Sequence, residues 1–347
     1  MHTQTSFQLN LKNGVINMTE TYDITIIGGG PVGMFAAFYA GMRNAKTHLV
    51  ESLADLGGQV NALYPEKTIL DVAGYPAIQG RDLITAQRQQ LAQFPLTIQT
   101  GTPVTNLQRI VEGFAITTPK GITHSKTVIV AVGNGAFAPR PLNVPNVDDF
   151  IARGQVSYSV PDKEQFRGQR VLVAGGGDSA IDQALMLESV AESVTLLHRR
   201  NTFRGLEHMV DVLHQSSVTV KTPYLIRNLA PTADGAVDVT IKTVGADTEE
   251  HVIVDKLLIS YGFTSDYHVI EGWDLAFERD RRLIAVDSTM MTSVPGVFAI
   301  GDGATYTGKQ PLIATGYGEA PIAVHQIMAA YFPDKRGPIH STSLREG

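Results

Sequence analysis

Short apolar runs that end in glycine recur along the chain, and each is followed by a stretch with a helical pattern. The run YDITIIGGG begins at Tyr22 and leads into PVGMFAAFYAGMRN, which indicates a helix, and then into KTHLVE, a second strand ending in an acid. The run RVLVAGGGD begins at Arg170 and leads into a helical segment, 178–190, and a strand, 194–198. Each succession predicts a β–α–β unit.

The two units have the same internal length. Gly28 to Glu51 spans 51 − 28 = 23 positions, and Gly175 to His198 spans 198 − 175 = 23 positions. A repeated strand, glycine turn, helix and strand predicts two dinucleotide-binding folds, whose turns and helix N-termini face a pyrophosphate. The residues predicted to do this are Gly28, Gly30 and Gly33 in the first unit, and Gly175, Gly177, Asp178 and Ser179, with Ala180 in the third glycine place, in the second.

The ends of the second strands predict different cofactors. Glu51 can accept hydrogen bonds from both hydroxyls of an adenosine ribose and would repel a 2′-phosphate. His198, Arg199 and Arg200, with Arg204 shortly after, instead offer guanidinium groups that pair with phosphate. We therefore expect FAD or NAD in the first unit and NADP in the second.

A third glycine motif, GVFAIGD, favours FAD over NAD for the first unit. Its strand delivers Asp302, where a carboxylate can bind the ribityl hydroxyls of a flavin. We expect the following helix to begin near Gly318-Glu319-Ala320 and to direct its positive end at the flavin pyrimidine edge.

These units predict an α/β protein with two Rossmann-like dinucleotide-binding domains. The Pro- and Gly-rich stretch NGAFAPRPLNVPNV indicates a crossing between them. We expect a polar tail at 1–20, a discontinuous FAD-binding domain at 21–138 and 264–347, and an NADP-binding domain inserted at 139–263. The segment 52–80 reads as loop-rich.

Composition excludes several functional classes. A net charge of −6 gives no basic footprint for nucleic acid, and no apolar run reaches the roughly 18 residues of a membrane span. The absence of cysteine removes disulfides and thiolate chemistry, and fits a cytoplasmic protein. The first 20 residues do not resemble a signal peptide. The 10 histidines show no metal-ligand spacing, so no metal is expected.

The motifs GGGPVGMFAAFYA, ESLADLGGQ, VAGGGDSAID, LLHRRNTFR and GVFAIGDGA together resemble the thioredoxin-reductase-like flavoproteins. Thioredoxin reductases carry a CxxC just upstream of the NADP turn, where this chain reads VSYSVPDKEQFRGQRVLVAGGGD. LYPEK, GAFAPR and the terminal HSTS are more similar to the cysteine-free ferredoxin–NADP⁺ reductases of thioredoxin-reductase type.

The resemblance implies roles for individual residues. Tyr64 would stack on one isoalloxazine face and His340 on the other, with His340 reaching the partner subunit's flavin in a homodimer, and Ser341 would lie near flavin N5. The resemblance names further FAD contacts at Glu51, Gln59, Val104, Phe137, Asp302 and Thr342.

The function implied is electron transfer between NADPH and ferredoxin or flavodoxin through FAD. Such carriers are usually acidic, and the candidates for a basic docking patch are Lys67, Arg140, Lys335, Arg336 and Arg345. Two alternatives remain open from the residues alone. One is an NADPH diaphorase or oxidase acting on quinones or other small acceptors, and the other is a slow-turnover NADPH-sensing flavoprotein.

Overall fold

The chain divides into two compact units. The computed structural model describes residues 21–266 and 268–335, and of 136–138, 265, 266, 268 and 269 only the backbone. Unit 1 comprises 21–61, Ile69–Ala136 and 266–335, and unit 2 comprises Ala62–Thr68 and Phe137–Ser265. The boundaries expected from sequence differ at the two crossings by 138 − 136 = 2 and 265 − 263 = 2 residues. The sequence pattern had not separated Ala62–Thr68 from the residues around it.

Strands and helices alternate through most of the chain. The strands are β1 Thr21–Ile27, β2 Thr47–Val50, β3 Thr68–Ile69, β4 Ile78–Gln79, β5 Thr97–Gln99, β6 Asn106–Ile110, β7 Gly113–Thr118, β8 Gly121–Val130, β9 Ala136–Pro139, β10 Val156–Ser157, β11 Arg170–Gly175, β12 Ser193–Leu197, β13 Thr219–Lys221, β14 Tyr224–Pro231, β15 Val237–Thr243, β16 Glu249–Val254, β17 Lys256–Ser260, β18 Phe263–Asp266, β19 Arg279–Asp280, β20 Leu283–Ala285, β21 Val297–Ala299 and β22 Ala304–Thr305. The α-helices are α1 Pro31–Met42, α2 Gly58–Leu63, α3 Gly80–Leu91, α4 Val147–Ala152, α5 Asp178–Glu188, α6 Glu207–Gln215, α7 His268–Glu271 and α8 Ile313–Tyr331. Short 3₁₀ turns lie at Lys163–Phe166 and Gly301–Gly303.

The main sheet of unit 1 has the strand order β5-β2-β1-β8-β7-β6. Strands β5, β2, β1 and β8 are parallel, whereas β6 and β7 are antiparallel neighbours at one side. The carboxyl half of β8 also pairs in parallel with β21. The first predicted β–α–β unit is thus confirmed, and β21 joins it from far along the sequence.

Both faces of this sheet are covered by apolar side chains. Ile24 and Ile26 of β1 belong to a core cluster that includes small residues of α1 and α8. Val128 and Val130 of β8 belong to the cluster on the other face, together with Trp273. Near-continuous burial is typical of parallel strands covered on both sides.

Unit 2 contains an all-parallel sheet in the order β10-β17-β11-β12-β13. Helix α5 follows β11 and packs beside it, which confirms the second predicted β–α–β unit. An antiparallel sheet, β14-β15-β16, packs through Val237, Val239 and Ile241 on the other face. The predicted α/β class with two Rossmann-like folds, one inserted within the other in sequence, is confirmed.

The start predicted for the last helix near Gly318 is wrong. Helix α8 begins at Ile313 and continues through Gly316 and Pro321 to Tyr331. Gly316 lies inside the helix because it packs directly on Val32, where an added Cβ would overlap the valine side chain. Gly316 therefore reflects close helix packing rather than a turn.

The loop-rich segment between β2 and α3 holds one short helix, α2, and a two-stranded pairing of β3 with β4. Across the described ranges, none of the helices combines the length and apolar character needed to cross a membrane.

Candidate functional site

The parallel strands of the unit 1 sheet end level with one another. In the observed register the last residues of β1, β2, β8 and β21 are neighbours. The residues that follow are Gly28 after β1, Glu51 after β2 and the turn ending in Asp302 after β21. Three segments that the sequence predicted to contact one cofactor thus emerge at the same carboxyl edge, where α/β sheets bind their ligands.

Of the three predicted glycines in the turn after β1, two leave no room for a Cβ atom and the third has space beside it. Gly28 has a φ of 111°, and a Cβ there would overlap the carbonyl oxygen of Ala131. A Cβ at Gly33 would overlap the carbonyl oxygen of Gly28. Gly30, in contrast, meets only the Cα of Gly58 at 4.0 Å, and it precedes α1 without a side-chain cap. The first-turn N–H groups of α1 are therefore free to donate hydrogen bonds to a bound anion.

The Glu51 carboxylate is 5% exposed and held by three donors. Oε2 accepts a hydrogen bond from the Gly29 N–H at 2.6 Å. Oε1 accepts bonds from the Leu53 N–H at 2.7 Å and from the Ser52 hydroxyl at 3.0 Å. Because each carboxylate oxygen has two lone pairs, acceptor capacity remains for ribose hydroxyls.

The turn carrying Asp302 is tied to helix α8 by a buried carboxylate. Glu319 is 2% exposed; its Oε2 accepts the Gly301 N–H at 2.7 Å and its Oε1 accepts the Tyr306 hydroxyl at 2.8 Å. Glu319 also pairs with Lys309, whose side chain is 8% exposed. Burial raises the pKa of Asp302; Lys309 opposes the rise and Glu319 adds to it. Burial, followed by the Glu319 contact, raises the pKa of Tyr306 to about 12.

The remaining predicted FAD residues occupy varied environments. Gln59 is half-buried on α2, and Val104 is buried in the core cluster that also contains Val130. Phe137 lies on β9, where only the backbone is described. His340, Ser341 and Thr342 lie outside the described residues. The roles of all these side chains stay predictions.

Tyr64 groups with unit 2. Its hydroxyl lies 3.5 Å from the Ser179 Oγ on α5, and its ring meets Phe263 edge-on, with centroids 6.4 Å apart. Lys67, three residues later, forms an ion pair with Asp182 of the same helix at 2.8 Å. The stacking role expected of Tyr64 stays a prediction.

The carboxyl edge of the unit 2 sheet repeats the arrangement. Strands β11, β12 and β17 end in register, so the Gly175 turn, His198 and Tyr261 follow at one edge. A Cβ at Gly175 would overlap the Ser260 carbonyl oxygen, whereas one at Gly177 would meet nothing within 4 Å. Gly177 precedes α5 without a side-chain cap. This open helix N-terminus suits a second pyrophosphate.

Asp178 and Ser179, the first residues of α5, both have partners within unit 2. Asp178 Oδ1 accepts the backbone N–H of Leu206 at 2.8 Å. The backbone N–H of Arg204 donates to the Gly176 carbonyl at 2.8 Å. The segment carrying Arg204 is thus fastened to the glycine turn at two points.

His198 and the arginines after it differ in exposure. The His198 ring is 6% exposed, lies against Gly176 and stacks on Phe203, with centroids 5.4 Å apart. Burial first, and then Arg199, Arg204 and Arg200, lower the pKa of His198, so its ring is neutral at pH 7. All three arginines are exposed. The imidazole therefore shapes the turn while the guanidiniums face solvent.

Both edges fit a dinucleotide. In unit 1 the space at Gly30 lies next to a buried acceptor, Glu51, which suits an unphosphorylated ribose. In unit 2 the space at Gly177 lies next to exposed guanidiniums, which suit a 2′-phosphate. Within the described part of the chain, the buried Nε2 of His198 lacks a hydrogen-bond partner.

Sequence reasoning did not identify Lys309 or the role of Glu319. The available signal was a single glutamate in the otherwise apolar and small-residue run ATGYGEAPIAV. A charged residue in such a run indicates a buried ion pair, because a glutamate is rarely buried without a partner. Two of the proposed docking cations also have partners: Lys67 pairs with Asp182, and Lys335 pairs with Asp23 at 2.8 Å. Arg140 is exposed, and Arg336 and Arg345 lie outside the described residues.

Comparisons with known proteins show which family this chain resembles. The family model described as pyridine nucleotide-disulphide oxidoreductase matches residues 22–326. A Levilactobacillus brevis protein named Ferredoxin--NADP reductase is 68% identical over 328 residues, covering 94% of this chain and 99% of that protein. A Lactiplantibacillus plantarum protein of the same name is 56% identical over 330 residues, covering 95% and 99%.

Among solved structures, the thioredoxin reductase of Lactococcus lactis (FR conformation) superposes with a TM-score of 0.73 at 29% identity, covering 89% of this chain and 98% of that one. The chain described here has no cysteine, so the resemblance to this enzyme extends to the fold and not to a dithiol. The predicted resemblance is confirmed, and the chain belongs to the pyridine nucleotide-disulphide oxidoreductase family, together with the proteins named ferredoxin–NADP reductase.

Proposed function

We propose that the chain is an FAD-dependent oxidoreductase that passes electrons between NADPH and ferredoxin. The observation that carries the proposal is the contrast between two matched sheet edges. One ends in the buried carboxylate of Glu51 and the other in the exposed Arg199 and Arg200. The relatives named ferredoxin–NADP reductase, at 68% and 56% identity, support the choice of electron carrier.

The FAD half-site is assigned to unit 1. The N-terminus of α1 binds the pyrophosphate at Gly30, Glu51 accepts the adenosine ribose hydroxyls, and Asp302 accepts the ribityl hydroxyls. Bound FAD supplies the conversion between two-electron hydride chemistry and one-electron transfer. The chain contributes binding, orientation and local charge, and we assign no side chain the role of an acid or base.

The NADPH half-site is assigned to unit 2. Gly177 and the N-terminus of α5 bind the pyrophosphate, and Arg199, Arg200 and Arg204 bind the 2′-phosphate. The neutral His198 ring keeps the glycine turn in place between them. Discrimination between NADPH and NADH therefore rests on the arginines.

A homodimer is part of the proposal. Its support is the resemblance to the cysteine-free ferredoxin–NADP⁺ reductases of thioredoxin-reductase type, which implies that His340 of one copy would act on the FAD of the other.

Stopped-flow absorbance tests the proposal directly. The purified holoprotein is mixed with NADPH or NADH, and the reduced protein is then mixed with ferredoxin, flavodoxin, a quinone or oxygen. We expect faster flavin bleaching with NADPH and fastest reoxidation by ferredoxin. Fastest reoxidation by a quinone or by oxygen would assign a diaphorase or oxidase instead. NADPH binding without turnover on any acceptor would assign a sensing flavoprotein.

A further inference from the structure

Unit 1 buries a lysine and a glutamate beside the turn that carries Asp302. Both side chains of the Lys309–Glu319 pair are more than nine-tenths buried, at 8% and 2% exposure. The Lys309 ammonium also lies over the ring of Tyr306, 5.5 Å from its centroid. Burying two ions costs desolvation free energy, and apolar residues of similar size often stabilise a fold as well or better. The pair therefore calls for an explanation beyond stability.

The hydrogen bonds of Glu319 lead toward the same turn. One oxygen receives the Gly301 N–H at 2.7 Å, and the other receives the Tyr306 hydroxyl at 2.8 Å and the Lys309 ammonium. Gly301 has a φ of 72°, a conformation that favours glycine, and it directly precedes Asp302. Glu319 thus fixes the backbone from which the Asp302 side chain projects.

The charges of this cluster influence one another. Its ionisable members are Asp302 on the turn, Tyr306 and Lys309 after it, and Glu319 on α8. Two carboxylates and one ammonium leave one negative charge in excess. Lys309 favours the ionised form of Asp302, whereas burial and Glu319 oppose it. Lys309 thus helps keep Asp302 a hydrogen-bond acceptor.

We propose that Lys309 and Glu319 are positioning residues for the flavin: Glu319 holds the Gly301–Asp302 turn in its binding conformation, and Lys309 balances the carboxylate charge beside it. The inference rests on the proposed function, because it requires FAD at this edge. The pair sets both the affinity for FAD and the midpoint potential of the bound flavin. A lost negative charge raises that potential and a lost positive charge lowers it.

The test is a charge cycle on the holoprotein. Wild type, Glu319→Gln, Lys309→Met and the double variant are compared by spectroelectrochemical titration of the flavin and by FAD binding to the apoprotein. Lys126→Met is the matched control, because it removes an exposed lysine of the same unit, 3.8 Å from Asp23. Circular dichroism verifies that each variant is folded.

We expect Glu319→Gln to raise the midpoint potential of the bound flavin, because the positive charge of Lys309 is no longer neutralised. We also expect FAD binding to weaken about tenfold, because the turn that carries Asp302 is held less firmly. Adding Lys309→Met to that variant should lower the potential again toward the wild-type value. This comparison does not need the single Lys309→Met variant to fold. Lys126→Met should match wild type in both measurements.

A wild-type potential and affinity in Glu319→Gln would overturn the inference, as would a double variant whose potential stays at the Glu319→Gln value. Either result, with FAD bound to the wild-type protein, would leave the proposed function intact. A wild-type protein that binds no FAD would overturn the proposed function itself.

Discussion

The Glu51 carboxylate accepts the backbone N–H of Gly29 at 2.6 Å, and this bond joins the end of β2 to the glycine turn after β1. The residue expected to recognise the ribose therefore also holds the pyrophosphate turn in shape. Recognition of the sugar and of the phosphates is consequently coupled through one side chain.

Replacing Glu51 by Ala should weaken FAD binding and destabilise unit 1. The buried Gly29 N–H would lose its acceptor, which costs about 1–3 kcal/mol. FAD titration of the apoprotein and thermal unfolding of the holoprotein measure the two effects. Ser52→Ala removes one donor to the same carboxylate and should change both values far less. Wild-type FAD affinity in Glu51→Ala would contradict the assignment of this edge.

Replacing Arg199 and Arg200 by Met should raise the KM for NADPH without a matching change for NADH. Each charge-assisted hydrogen bond to a phosphate is worth about 1.5–3 kcal/mol, so the loss of one bond from each arginine predicts a loss of at least roughly 100-fold. Steady-state kinetics with both coenzymes provide the measurement. Arg227→Met, at an exposed position of β14, is the control. Equal losses for NADPH and NADH would show that these arginines do not read the 2′-phosphate.

Replacing Asp178 by Ala should weaken NADPH binding indirectly, by loosening the segment that carries Arg204. Asp178 accepts the Leu206 N–H at 2.8 Å, and its loss frees the segment that carries the guanidinium. We expect the KM for NADPH to rise about fivefold, from the loss of about 1 kcal/mol. Asp178→Asn keeps an acceptor oxygen and should lie closer to wild type.

A double-mutant cycle separates this positioning role from a direct contact. Asp178→Ala added to Arg204→Met should give little further loss, because the guanidinium that it positions is already gone. Additive losses would indicate instead that Asp178 contacts the coenzyme independently.

His48 should make the stability of unit 1 depend on pH. Its ring is fully buried beside Tyr22, and its Nε2 lies 2.8 Å from Gln99 Oε1. Burial lowers the pKa of His48 to about 4, against 6.5 in the unfolded chain, although the Gln99 contact opposes the shift. The unfolded state therefore binds the proton more tightly. The stabilising contribution is fully present above pH 6.5 and is lost as the pH falls toward 4.

The loss expected from His48 over this range is about 3 kcal/mol. Urea unfolding of wild type and His48→Gln at pH 7 and pH 4.5 measures it. The free energy of unfolding should differ less between pH 7 and pH 4.5 in His48→Gln than in wild type. His208→Gln, at an exposed position of α6, should retain the wild-type difference. Identical pH dependence in His48→Gln and wild type would contradict the prediction.

Local sequence patterns correctly predicted the strands and helices whose formation depends mainly on residues close together in the sequence. The strands ending at Ile27 and Gly175 follow from apolar runs with glycine at fixed spacing, and their register at the sheet edge confirms the pairing. The start of α8 was misplaced because Gly316 and Pro321 favour turns locally, whereas contact with Val32 requires a small residue inside a helix. Tertiary packing outweighed local preference there.

Contacts between distant residues could not be predicted in the same way. Tyr64 meets Ser179 across 115 positions, and no periodicity encodes that pairing. The Lys309–Glu319 pair is only 10 positions apart, yet it forms because a loop returns to a helix face. Such pairs are visible only once the chain is folded.

The pairing of β21 with β8 has a consequence for biosynthesis. Val297 lies beside Val128, 297 − 128 = 169 positions earlier, and nearly all of unit 2 is translated between them. Synthesis proceeds from the amino end, so β21 and the Asp302 turn that follows it emerge only after the whole inserted unit. The FAD site proposed at this edge would therefore be completed late, after both glycine turns have been synthesised.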